Sequence, residues 1–239
     1  MSRCTITDQT YINYLCDELS KCSLEHIIWF LPNLVSYILR TDCIQILTEL
    51  ISMSNYDESF ASYLYYELMI YSQSTQYSSI EFCISTFLSQ SKFSDSIIKS
   101  RKLFEKIPHY CSQSSKNQTS QFIEPISIPF TEELKCIQVC LDSMNQMNSY
   151  HKPCKFNLQC LNSENQIEFF PLLWKREDIR KDLIILNIIQ LMNHILQEHI
   201  SDLQLVQYSV LPLDSTQGFT FLFIPQFYLI TGIFLFPIG

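Results

Sequence analysis

The densest gathering of ionisable side chains in this sequence is Trp174-Lys-Arg-Glu-Asp-Ile-Arg-Lys-Asp182. Cations and carboxylates this close can position a phosphate by charge-assisted hydrogen bonds, or can simply be the solvated charges of a turn. The run leads directly into an apolar stretch with helical spacing, expected from about Asp178 to His199. Asp178 is a capping-type residue, and Asp182 puts negative charge in the first turn. Other chemistries have little to stand on. The spacings Cys136/Cys140 and Cys154/Cys160 match no zinc pattern, and the five histidines do not pair with them. His194 and His199 are five apart and share no helix face. All three glycines lie at 218 or later, so residues 1–217 contain no glycine-rich phosphate loop.

The helix that carries Asp182 reads as buried on most sides. Asn187, Gln190, Asn193, His194 and Gln197 make one narrow polar stripe, and Leu183, Ile184, Ile185, Leu186, Ile188, Ile189, Leu191, Met192, Ile195 and Leu196 cover the rest. An apolar fraction of 47% with 17% charged residues reads as globular. The net charge of −8 and the lack of a basic block argue against a nucleic-acid surface. With no secretory signal at the start, the ten cysteines read as free, mostly buried cytosolic thiols.

The elements around this helix fall into two kinds. Residues 1–107 read as consecutive amphipathic helices: Tyr11 to Leu19, Leu24 to Leu39 with a kink or new turn at Pro32, Cys43 to Met53 capped by Asp42, and Glu58 to Tyr71 capped by Asp57. Two more are expected near Ser79–Leu88 and Asp95–Ile107, giving a helical, HEAT-like stack. In residues 108–146 the pattern fails. A polar run from Ser112 to Ser120, then Pro125 and Pro129, reads as a linker. From Ser149 the period becomes two: a strand through Phe156, Leu158 and Cys160, a turn at Asn162–Asn165, and a returning strand from Ile167 to Trp174. Two strands follow the long helix, near Leu203–Leu211 and from Gly218 to Ile224, with Gly218 expected to allow a positive-φ turn. The expected class is α+β, a helical segment followed by an antiparallel sheet with one long packed helix.

That order of elements, with these residues, resembles the N-terminal lobe of phosphatidylinositol 3-kinases, most closely the class III vacuolar-sorting type. The family's K-x-G-D-D-L-R-Q-D motif corresponds to Trp174–Asp182. Asp202-Leu-Gln-Leu-Val-Gln-Tyr208-Ser-Val-Leu211 is similar to D-L-x-L-x-P-Y-x-V-L. Gly218-Phe-Thr-Phe-Leu-Phe-Ile-Pro225 looks like the strand into the adenine-binding hinge, and Ser149-Tyr-His-Lys-Pro-Cys-Lys-Phe like the serine-type phosphate loop. Phe30-Leu-Pro-Asn-Leu-Val35 and Phe60-Ala-Ser-Tyr-Leu-Tyr-Tyr-Glu-Leu68 are similar to the accessory helical domain. The resemblance implies this division: residues 1–107 a partial helical accessory domain, 108–146 a linker, 147–224 a kinase N-lobe, and 225–239 a divergent apolar tail.

Carried over, the resemblance implies ATP and magnesium as the family's cofactors. Ser149 would donate to phosphates, and Asp182 and Tyr208 would line the inner end of the nucleotide pocket. Phe221 C=O and Phe223 N–H would face the adenine along a strand edge. The family's phosphate-binding lysine, counted back from Asp182, falls on Trp174, and Lys175 comes one residue late. A one-residue shift in a strand reverses the side chain's face. Either a local bulge restores Lys175 or phosphate binding is impaired. The catalytic D-R-H-x-x-N and metal-binding D-F-G strings occur nowhere in the sequence, so no productive ATP binding, catalytic residue or C-lobe is expected. The expectation is a truncated catalytic subunit, cytoplasmic and peripheral to endosomal and autophagic membranes, with phosphatidylinositol and a pseudokinase regulatory subunit as partners. A non-catalytic helical binding module and a tail-anchored membrane protein, its anchor in the uncharged run 215–239, are the alternatives.

Overall fold

A computed structural model describes residues 9–72, 76–112, 120–131, 133–199 and 208–221. Six helices come first: α1 (Gln9–Lys21), α2 (Leu24–Thr41), α3 (Ile44–Ser54), α4 (Glu58–Tyr71), α5 (Ile80–Gln90) and α6 (Ser94–Ser112). Two strands, β1 (Ser120–Ser127) and β2 (Lys135–Gln146), lead to the hairpin β3 (Cys154–Leu161) and β4 (Ile167–Lys175). The long helix α7 (Arg180–His199) and a short hairpin, β5 (Ser209–Pro212) and β6 (Gly218–Phe221), complete the described chain. The six strands form one antiparallel sheet in the order β1-β2-β3-β4-β6-β5. The class is α+β.

Local chemistry accounts for most helix boundaries. Asp57 accepts from the Phe60 N–H at 2.6 Å, as expected of the α4 cap. Ser23 does the same for α2 from His26 N–H. Asp42 does not cap α3: it closes α2 instead, in the left-handed region at φ 55°, and α3 starts from Cys43 with no side-chain cap. Pro32 and Pro108 both sit inside helices. α2 runs unbroken through the first, and α6 continues through the second to Ser112, past its expected end at Ile107.

The stretch expected as a linker holds β1 and β2. Pro125 does not forbid a strand here because β1 is the outer strand of the sheet, where a missing N–H need break no ladder. β2 then buries Cys136, Val139, Cys140 and Leu141. Between the two strands Phe130 adopts φ 67°, an unusual conformation for a bulky residue, and its ring is held against Tyr63, Tyr66 and Phe221.

One apolar core runs through both halves. It collects Val35, Leu47, Leu50, Phe60, Leu64 and Phe87 from the helices and Phe156, Leu158, Leu172, Trp174 and Phe219 from the sheet. Phe104 of α6 lies at the join, its ring 5.3 Å from Phe219 and 5.6 Å from Phe221. The alternation of strands sorts the two sheet faces. Phe170, Leu172 and Trp174 turn toward the helical half, while Ile179, Leu186 and Val210 form a separate small cluster under α7.

α7 corrects the expectation of a helix buried on most sides. Among its described side chains Leu186 and Asn193 are buried, and Ile184, Ile185, Ile188, Leu191, Met192 and Ile195 are exposed. In its second half the polar stripe faces inward. Asn193 is buried, and the His194 ring meets His26 and Trp29 of α2 at 5.2 and 5.0 Å. A helix with an apolar arc wider than its neighbour must leave part of that arc outside.

Candidate functional site

The charged run becomes the end of β4, a tight turn, and the first turn of α7. Trp174 is buried on the face toward the helical half, where its Nε1 donates to Gln217 Oε1 at 3.3 Å. Arg176 lies over the Trp174 ring, 4.6 Å from its centroid. Asp178 accepts two hydrogen bonds from the Arg180 guanidinium, at 2.7 and 2.6 Å, and one from the Arg180 N–H at 3.1 Å. Those bonds hold the Asp178 carboxyl below its usual range.

Lys175 faces the other way, toward α7. Its Nζ donates to Asp182 Oδ2 at 3.1 Å and lies 3.8 Å from Glu177 Oε1. All three side chains are partly buried. The bulge that would have removed the one-residue offset is absent. β4 pairs residue for residue with β3 through Trp174 and with β6 through Lys175, with no bulge. The regular alternation alone brings Lys175, not Trp174, to Asp182.

Gly218 makes this turn possible by its size. It pairs with Lys175, and a Cβ built on it would lie 2.4 Å from Ile179 Cδ1 and 2.7 Å from the Leu211 carbonyl oxygen. Its role is close approach, because its φ does not fall in the left-handed region expected for the turn. Ile179 packs into that space, and the Asp182 N–H donates to the Ile179 carbonyl at 3.0 Å. Position 218 thus leaves room for Ile179 at the turn that leads into α7.

Tyr208 joins the cluster beneath α7 with Ile179, Leu183, Leu186 and Val210. Burial pushes its phenol above the usual range; Asp182 adds to the rise and Lys175 opposes it. Lys175, Asp182 and Tyr208 are therefore one group. Ser149 is exposed in a turn in which Lys152 N–H donates to the Ser149 carbonyl at 3.0 Å, and Lys152 has φ 44°. Two residues on, His151 Nε2 lies 3.6 Å from Glu177 Oε2, which brings this turn alongside the lysine.

The adenine end is different. Phe221 is fully buried against Phe104, Phe130 and Phe170. It is paired with Leu172 on one side and Ser209 on the other, so β6 offers no free strand edge at this residue. Phe223 lies outside the described residues, as do residues 225–239, expected as the tail.

Sequence reasoning missed Glu177 as the group bridging the Ser149 turn to Lys175, and Gly218 as the spacer. The bulk of Ile179 beside a lone glycine is a packing signal that appears only when the strands are paired. The turn gathers a largely buried ammonium held between two carboxylates, with the Ser149 turn alongside. Among the described residues no group of three His, Cys, Asp or Glu side chains is placed to hold a metal ion. No described helix is long and apolar enough to cross a membrane. No known family model matches the chain.

Proposed function

We propose that this chain is part of a phosphatidylinositol 3-kinase catalytic subunit of the class III type, comprising accessory helices and the lobe that meets the phosphates of ATP. The single observation that carries the reading is the Lys175–Asp182 ion pair at 3.1 Å with Tyr208 beside it. The lipid-kinase resemblance assigns Asp182 and Tyr208 to the inner end of a nucleotide pocket and calls for a phosphate-binding lysine one residue before Lys175. The antiparallel sheet with one helix on its face and helices packed behind it is further support.

In this reading Lys175 neutralises phosphate oxygens, Asp182 holds the ammonium in place, and the Ser149 turn adds donors. Magnesium and the acceptance of the lipid hydroxyl's proton require the D-R-H-x-x-N and D-F-G groups, which this sequence lacks. The chain on its own therefore binds nucleotide without transferring phosphate. Phosphatidylinositol membranes of the endosomal and autophagic system, and a pseudokinase regulatory subunit, are the partners the reading implies.

Titration of the chain with a fluorescent ATP analogue tests it. Saturable binding displaced by ATP, weakened about tenfold or more in Lys175→Met with an unchanged circular-dichroism melt, is the expected result. Binding that is absent, or equal in both proteins, ends the proposal.

A further inference from the structure

We infer that the outer face of α7 is a self-association surface, on which the α7 of a second copy lies. Ile184, Ile188, Leu191 and Ile195 are each between 38% and 61% exposed. Their spacing of four, three, four is the heptad seam of a helix pair. Leu186 and Asn193, seven apart, are buried on the opposite side of the helix, so the seam points straight away from the protein's own core. Ile185 and Met192 widen it along one flank.

The area is sufficient for a partner of this kind. The exposed fractions of these six side chains, at about 200 Å² for a whole residue, amount to roughly 600 Å² per copy, a large patch for a monomer. Two copies face to face would remove up to about 1,200 Å², at the lower end of specific interfaces.

A two-fold axis makes the contact self-complementary, each seam facing the same seam of the second copy. The inference does not rest on the lipid-kinase reading, since it uses only the outward side of α7.

Sedimentation equilibrium of the whole 239-residue chain tests it. The expected species is a dimer at micromolar concentration. Ile188→Glu should be monomeric with an unchanged thermal melt, because Ile188 is exposed in the single copy. A monomer at all concentrations, an assembly larger than a dimer, or a dimer that survives Ile188→Glu would each overturn the inference.

Discussion

Glu67 offers a test of the helical half in which the sign and size both follow from burial. It lies on α4 with 6% of its surface exposed, and desolvation lifts its carboxyl to about 7 from an ordinary 4.5. The unfolded chain releases this proton first as pH rises, and the folded chain must keep it. Stability from this group is therefore undiminished below about pH 4.5, falls between there and about pH 7, and is level above. The gap between 4.5 and about 7, at about 1.4 kcal/mol per pH unit, corresponds to about 3 kcal/mol at alkaline pH. Replacing the group by a neutral one of the same shape, Glu67→Gln, removes that loss. Urea unfolding followed by circular dichroism should show the variant more stable by about 3 kcal/mol at pH 8, and by under about 1 kcal/mol at pH 5. For a chain of this size the alkaline difference corresponds to a Tm rise of roughly 6–12 °C. A variant that is equally destabilised at both pH values would show that Glu67 is ionised in the fold and satisfied by partners, refuting the desolvation argument.

Other substitutions probe the join and the site. Phe104→Ala, which empties the contact between α6 and β6, should cost about 3–5 kcal/mol, and helical and sheet signals should still be lost together in one transition. Gly218→Ala places a methyl against Ile179 and the Leu211 carbonyl and should lower stability by about 1–3 kcal/mol in the same urea assay, while Phe104→Ala leaves the α7 turn untouched. Asp57→Ala removes the α4 cap and should cost about 1 kcal/mol, read as a shifted urea midpoint with unchanged slope.

Much of this fold is legible from periodicity, and the reasons for the exceptions are specific. The helices of the first half follow from apolar residues three and four apart, and the β3–β4 hairpin from strict alternation around Phe156 and Leu158. β1 and β2 escape because their signal is a relation between strands: Pro125 reads as a breaker until the strand holding it is known to be outermost. The orientation of α7 escapes for a related reason. Its composition announces burial, but which arc meets the protein depends on what lies beneath it, and Trp29 and His26 receive the polar stripe through His194. The site divides along the same line. Lys175 and Asp182, named from the motif, meet as an ion pair, while the one-residue offset stays because β4 has no bulge. Phe221 is not available at an edge, because the strand order that encloses it is a tertiary fact.

Hydrogen–deuterium exchange with and without saturating ATP tests the central claim most directly, that the turn between β4 and α7 is the phosphate end of a nucleotide pocket. The account predicts slowed exchange in the Ser149–Pro153 turn and from Lys175 to Asp182, and none on the α1–α5 stack. Protection confined to the helical half, or no protection at an ATP concentration that saturates binding, would contradict it.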